Sequence, residues 1–194
     1  MNKIFAKIVS MVVNPVLILA VLPYIFVLKT TNNPSAALFW TIFSWIFLLI
    51  FFVFLLLGIE KGYFSDLDVS KRSQRPLLFT FAIGLSLFYI VFLYFLRAPM
   101  VLFVALFGLI FGLMCMEFVN RITKASIHVA TVSAFAISLF LSFGPFCILS
   151  FILVPLVAWA RIKTHNHTKR QTIIGAAMGI LITLIVYVIF KYIV

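Results

Sequence analysis

Acidic residues are nearly missing from this chain: Glu60, Asp66, Asp68 and Glu117 are the only four in 194 residues. With no acid beyond Glu117, no second carboxylate set is available to hold a divalent cation on a diphosphate. Cysteine is as scarce. Cys115 and Cys147 both fall inside apolar runs, where a small hydrophobe is the ordinary reading and neither a disulfide nor a metal site is indicated. His165 and His167 lie two apart, but no cluster has metal-ligand spacing. Charge of either sign is sparse at 10% of residues, against about a quarter in soluble domains. Internal repeats and low-complexity tracts are missing, and no stretch is left over for a soluble domain.

Apolar residues fill the space. They make up 65% of the chain, and phenylalanine alone contributes 24. No globular core of this size needs that much apolar surface, so lipid is the solvent for most of the chain. Apolar runs occupy about 9–28, 38–58, 77–96, 100–119, 126–143, 146–160 and 173–193. A spanning helix takes about 20 residues, within about 17 to 25. Five or six of the seven satisfy this; the weak one is 146–160, short and preceded by Gly144-Pro145, which either extends into Arg161 and Ile162 or forms one arm of a tight helical hairpin. The gaps at 97–99 and 144–145 leave room only for hairpin turns. Lys3 and Lys7 precede the first run without a small-residue cleavage site, so it reads as a spanning helix and not as a removed signal peptide. The expected fold is an all-α polytopic transmembrane helix bundle of six to seven spanning helices. We expect a single integral membrane domain over 1–194, with its motif-bearing core at about 60–194.

The net charge of +11 sits in short gaps between these runs. It points to anionic lipid headgroups or a phosphorylated substrate and away from nucleic acid. With seven helices, the second, fourth and sixth gaps share a side with the N-terminus. Twelve of the fifteen cations fall there, and Lys29, Arg97 and Lys191 fall opposite. The positive-inside rule then favours the cytoplasm for that side.

Those three gaps hold the polar islands. The first, Asp66 to Pro76, ends in Arg75-Pro76; proline suits a first helical turn, which places the Arg75 guanidinium at the headgroup level. Lys71 and Arg72 precede it, and a guanidinium fork matches phosphate oxygens in two-point geometry. In the second, Lys124, Ser126 and His128 cluster at a helix entrance, where free N–H groups favour an anion. A histidine one turn into a membrane helix needs a partner or a wet cavity. The third runs Ala160-Arg161-Ile162-Lys163-Thr164-His165-Asn166-His167-Thr168-Lys169-Arg170-Gln171. Arg161 and His167 are six apart, and His167 and Gln171 are four apart, one helical face if a helix begins there.

In order and spacing, these blocks resemble the three signature motifs of the type-2 phosphatidic acid phosphatase superfamily, K-x6-R-P, P-S-G-H and S-R-x5-H-x3-D. Arg75-Pro76 matches the end of the first. Ala125-Ser126-Ile127-His128 matches the second at its serine and histidine. Ala160-Arg161, five residues, His167 and Gln171 match the third except at its two ends. The resemblance covers residues 68 to 171, and Asp68 stands where the family has lysine. It implies a membrane phosphatase acting on phosphatidic acid, phosphatidylglycerol phosphate or polyprenyl diphosphate, without cofactor or metal. His167 would be the nucleophile that forms a phosphohistidine, and His128 the acid that protonates the leaving alkoxide. Arg75, Arg161 and Ser126 would hold the phosphoryl oxygens. Lys71, Arg72 and Lys124 are candidates to replace the missing lysine, and Gln171 would orient His167. The alternative is a weak or inactive relative that binds lipid or scaffolds. Asp66-Leu67-Asp68 also faintly resembles the aspartate-rich motif of membrane prenyltransferases, which need a second acidic motif absent here.

Overall fold

A computed structural model of the chain describes residues 3–192, and over them it contains helices and turns without a strand. Ile193, the end of the last apolar run, and the outermost ends of the 1–194 domain lie outside the described residues. The helices are α1 (Lys3–Val12), α2 (Pro15–Thr31), α3 (Pro34–Glu60), α4 (Arg75–Phe95), α5 (Met100–Ile122), α6 (Ile127–Phe143), α7 (Leu153–Lys163) and α8 (Lys169–Phe190). Short 3₁₀ segments at Arg72–Gln74 and Pro145–Ile152 lead into α4 and α7. Among the described residues six stretches are long and apolar enough to cross a membrane: Lys3–Thr31, Pro34–Glu60, Arg72–Phe95, Met100–Ile122, Pro145–Lys163 and Lys169–Phe190. This is an all-α polytopic bundle, the architecture of a multi-pass membrane protein.

Two details depart from the expected runs. The run at 146–160 extends through Arg161 and Ile162 to Lys163 and so reaches 19 residues, its first part being the 3₁₀ segment, while the shorter apolar helix is α6 with 17. Gly144, at φ 80, ends α6, and the chain then continues through eight 3₁₀ residues in place of a tight two-residue turn. The first run begins earlier, at Lys3, and is broken after Val12. There the Asn14 amide donates to the Met11 carbonyl at 2.8 Å, and its oxygen accepts from the Leu17 N–H at 2.9 Å. One side chain thus serves the end of α1 and the start of α2, whose first residue is Pro15.

The chain divides into two compact units, Met1–Ile18 with Phe118–Ile189, and Leu19–Glu117 with Phe190–Val194. Each boundary falls inside a helix: α2, α5 and α8. The second unit is built on aromatic packing. Trp40, Phe47, Tyr89 and Leu93 from α3 and α4 join Val27, Leu102 and Leu106 in one buried cluster. Phe47 and Tyr89 stack at 4.1 Å, and Phe54 on Phe81 at 3.6 Å. In lipid, association between helices comes from such contacts and from hydrogen bonds, because apolar burial gives no drive there. The Ser44 and Tyr89 hydroxyls pair at 2.6 Å, and Trp45 Nε1 donates to the Ala20 carbonyl at 2.9 Å.

In the first unit, α6 packs on α7 and on the 3₁₀ segment before it, and α1 packs on α7. The Phe140 and Phe151 rings meet edge to face, and Phe5 of α1 meets Trp159 of α7 at 6.0 Å. Helix α8 reaches α6 through Gly175 and Gly179, four apart on one face. A Cβ on Gly175 would lie 2.5 Å from the Ser126 carbonyl oxygen, and one on Gly179 would strike the Ala130 carbonyl. This is the small-x3-small contact that lets helix backbones meet in lipid.

Candidate functional site

The third island is a helix ending. α7 closes with a Schellman motif in which His165 takes the left-handed conformation at φ 60. The Asn166 N–H reaches back to the Arg161 carbonyl at 3.1 Å and the His165 N–H to the Ile162 carbonyl at 3.0 Å, the 6→1 and 5→2 bonds of that motif. The His167 N–H also donates to the Arg161 carbonyl, at 3.2 Å. The spacing of five residues between Arg161 and His167 is thus the length of this turn, and it brings the two backbones together. His165, exposed, is the turn residue.

Both side chains of the pair are buried, Arg161 at 3% exposure and His167 at 6%. Arg161 Nη1 donates to Ser10 Oγ of α1 at 2.8 Å. His167 Nδ1 lies 3.2 Å from Gln171 Oε1, and the Thr168 N–H donates to the same atom at 3.2 Å. A group accepting from a backbone N–H is the amide oxygen, so the Gln171 contact favours the ring form in which His167 Nδ1 carries a proton. The Gln171 N–H in turn meets Thr168 Oγ1 at 3.3 Å, which fixes Gln171 in the first turn of α8.

The second island meets the third at two points. The Ser126 N–H donates to the Gln171 carbonyl at 3.2 Å, and Lys124 Nζ donates to the Asn166 carbonyl at 2.9 Å. Ser126, fully buried, caps α6 by accepting from the Val129 N–H at 3.5 Å. His128, 7% exposed, follows in the first turn of the same helix. The structure therefore gathers Lys124, Ser126, His128, Arg161, His167 and Gln171 around the start of α6 and the α7–α8 turn. Lys124 ties the turn in place, a role that its expectation as a phosphate ligand did not include.

Arg75, Arg72 and Lys71 belong to the other unit. Lys71 and Arg72 are exposed. Arg75 opens α4 with Pro76 in its first turn, as the sequence predicts, but its guanidinium does not lie out at the headgroups. It is 2% exposed, and Nε donates to the Val69 carbonyl at 3.3 Å. The loop ahead of it folds over it because Asp66 accepts from the Ser70 N–H and hydroxyl, at 3.2 and 2.9 Å. Val69 is buried there at φ 45, a strained conformation for a β-branched residue. Asp66 is thus an organiser of this loop. Among the described residues no group of three or more His, Cys, Asp or Glu side chains is arranged to hold a metal ion.

Two contributions escape motif reading. Gly175-x3-Gly179, for which the spacing of two small residues in an apolar run is the only sequence signal, sets how closely α8 approaches Ser126 and Ala130. Ser10, 151 residues from Arg161, carries no local signal. The chain matches no protein-family model, no curated protein and no solved structure.

Proposed function

We propose that this protein is a membrane lipid phosphatase that hydrolyses a phosphomonoester or diphosphate at the bilayer surface through a phosphohistidine. The observation that carries the reading is the His167 side chain: buried at 6% exposure, in contact through Nδ1 with Gln171 Oε1, and joined by one turn to the buried Arg161. His167 Nε2 attacks phosphorus while the bond to the lipid oxygen breaks, and His128 gives that oxygen its proton. Water then attacks the phosphohistidine, His128 takes its proton, and inorganic phosphate leaves. Arg161 and the amides at the start of α6 balance the charge on the phosphoryl oxygens. Phosphatidic acid, phosphatidylglycerol phosphate and polyprenyl diphosphate all offer the group this chemistry needs. The distribution of cations favours a cytoplasmic site.

The test is phosphate release from these lipids in detergent with chelator present. Release by the native protein that disappears in His167→Ala supports the reading. Gln171, in place of an acid, favours a second one, a lipid-binding relative without turnover. No release from any of the lipids by folded protein would leave that reading in place of the first.

A further inference from the structure

Helix α7 has two working faces. Val157, Ala160 and Arg161 are buried within the first unit, whereas Ala158, Trp159, Ile162 and Lys163 turn to a groove shared with Lys169 and Ile173 of α8. The groove has a volume of about 390 Å³, the size of a small-molecule site. Its wall is apolar, and the hydroxyl of the adjoining Thr172 is already donated to the Lys169 carbonyl at 2.7 Å. Lys163 ends one candidate span and Lys169 begins the next, so both ammonium groups stand at headgroup level while the wall below them faces the acyl region. The first unit contains eight cations, Lys3, Lys7, Arg121, Lys124, Arg161, Lys163, Lys169 and Arg170, and no Asp or Glu. Countercharge for Lys163 and Lys169 is not supplied by a carboxylate of this unit.

We propose that the α7–α8 groove is a binding site for an anionic phospholipid of the bilayer, with one acyl chain along Trp159 and Ile162 and the phosphate between Lys163 and Lys169. A zwitterionic lipid fills the same wall but brings its own cation to the lysines. An amphiphile with a net negative head satisfies both halves of the groove, and lysines near an anionic surface discriminate on that charge. The site is separate from the phosphatase reading and stands without it.

Trp159 is a built-in reporter. In a Trp40→Phe/Trp45→Phe background, reconstituted protein should be quenched more by brominated phosphatidylglycerol than by brominated phosphatidylcholine at equal mole fraction. Two lysines give a preference on the order of tenfold, and Lys163→Gln/Lys169→Gln should remove it. Equal quenching by the two lipids, or a preference that survives the double substitution, would overturn the proposal. Should the tryptophan background fail to fold, native mass spectrometry of the otherwise unaltered chain answers the same question. Retained phosphatidylglycerol that is lost with Lys163→Gln/Lys169→Gln supports the site, and equal retention sinks it.

Discussion

Gly175→Ala tests whether the close approach of α8 to α6 builds the site. The added Cβ would lie 2.5 Å from the Ser126 carbonyl oxygen and 3.3 Å from its carbonyl carbon and nitrogen. Ordinary contact begins near about 3.5 Å, so the helices must separate by about 1 Å, and backbone atoms cannot swing aside as a side chain would. Overpacking of this kind costs about 1–3 kcal/mol, and the Ser126 to Gln171 backbone hydrogen bond, already 3.2 Å long, would be lost with it. A midpoint lower by about 4–8 °C is expected in detergent. Because Gln171 sits one turn before Gly175 and holds His167, a 1 Å shift should also slow phosphate release by about 100-fold. Gly84→Ala is the matched control: the same change in a helix with nothing within 4 Å of the new Cβ, expected to leave both quantities unchanged or the midpoint slightly raised. If Gly175→Ala behaves like Gly84→Ala in thermal melts and in turnover, the contact does not position the site.

Gln171→Leu removes the acceptor for both His167 Nδ1 and the Thr168 N–H, and turnover should fall by about 10- to 100-fold; Gln171→Glu keeps the acceptor and should match or exceed the native rate. His128→Ala should stop release from lipids, whose alkoxide leaves poorly, far more than release from p-nitrophenyl phosphate, whose phenolate needs no acid; an equal loss on both substrates argues against proton donation. Ser10→Ala should reduce kcat by about 10-fold or more through loss of a hydrogen bond to a charged group, and Ser10→Thr should restore it; a variant with native kinetics would make the Ser10 contact incidental.

The helices were legible because lipid leaves a chain no other way to pair its backbone, so the apolar runs had to be helical. Asn14 was harder to see. A polar residue followed by Pro15 signals a new helix start, yet the surrounding apolar residues hid the break. The Arg161 to His167 spacing was legible as a motif, while its cause, a Schellman turn through His165, depends on backbone angles that no composition reveals. Arg75 was expected at the headgroups because its burial is decided by how Asp66 and Ser70 fold the preceding loop, a contact that flanking polarity does not announce. The Ser10 partnership lay beyond any local pattern.

That last contact has a consequence for biogenesis. Ser10 is synthesised 151 residues before Arg161, so the hydroxyl waits in the membrane while five further helices are inserted. The arginine's contact with α1 can close only once α7 has been made and has reached it. A change that displaces α1 therefore acts on an arginine 151 residues further along the chain.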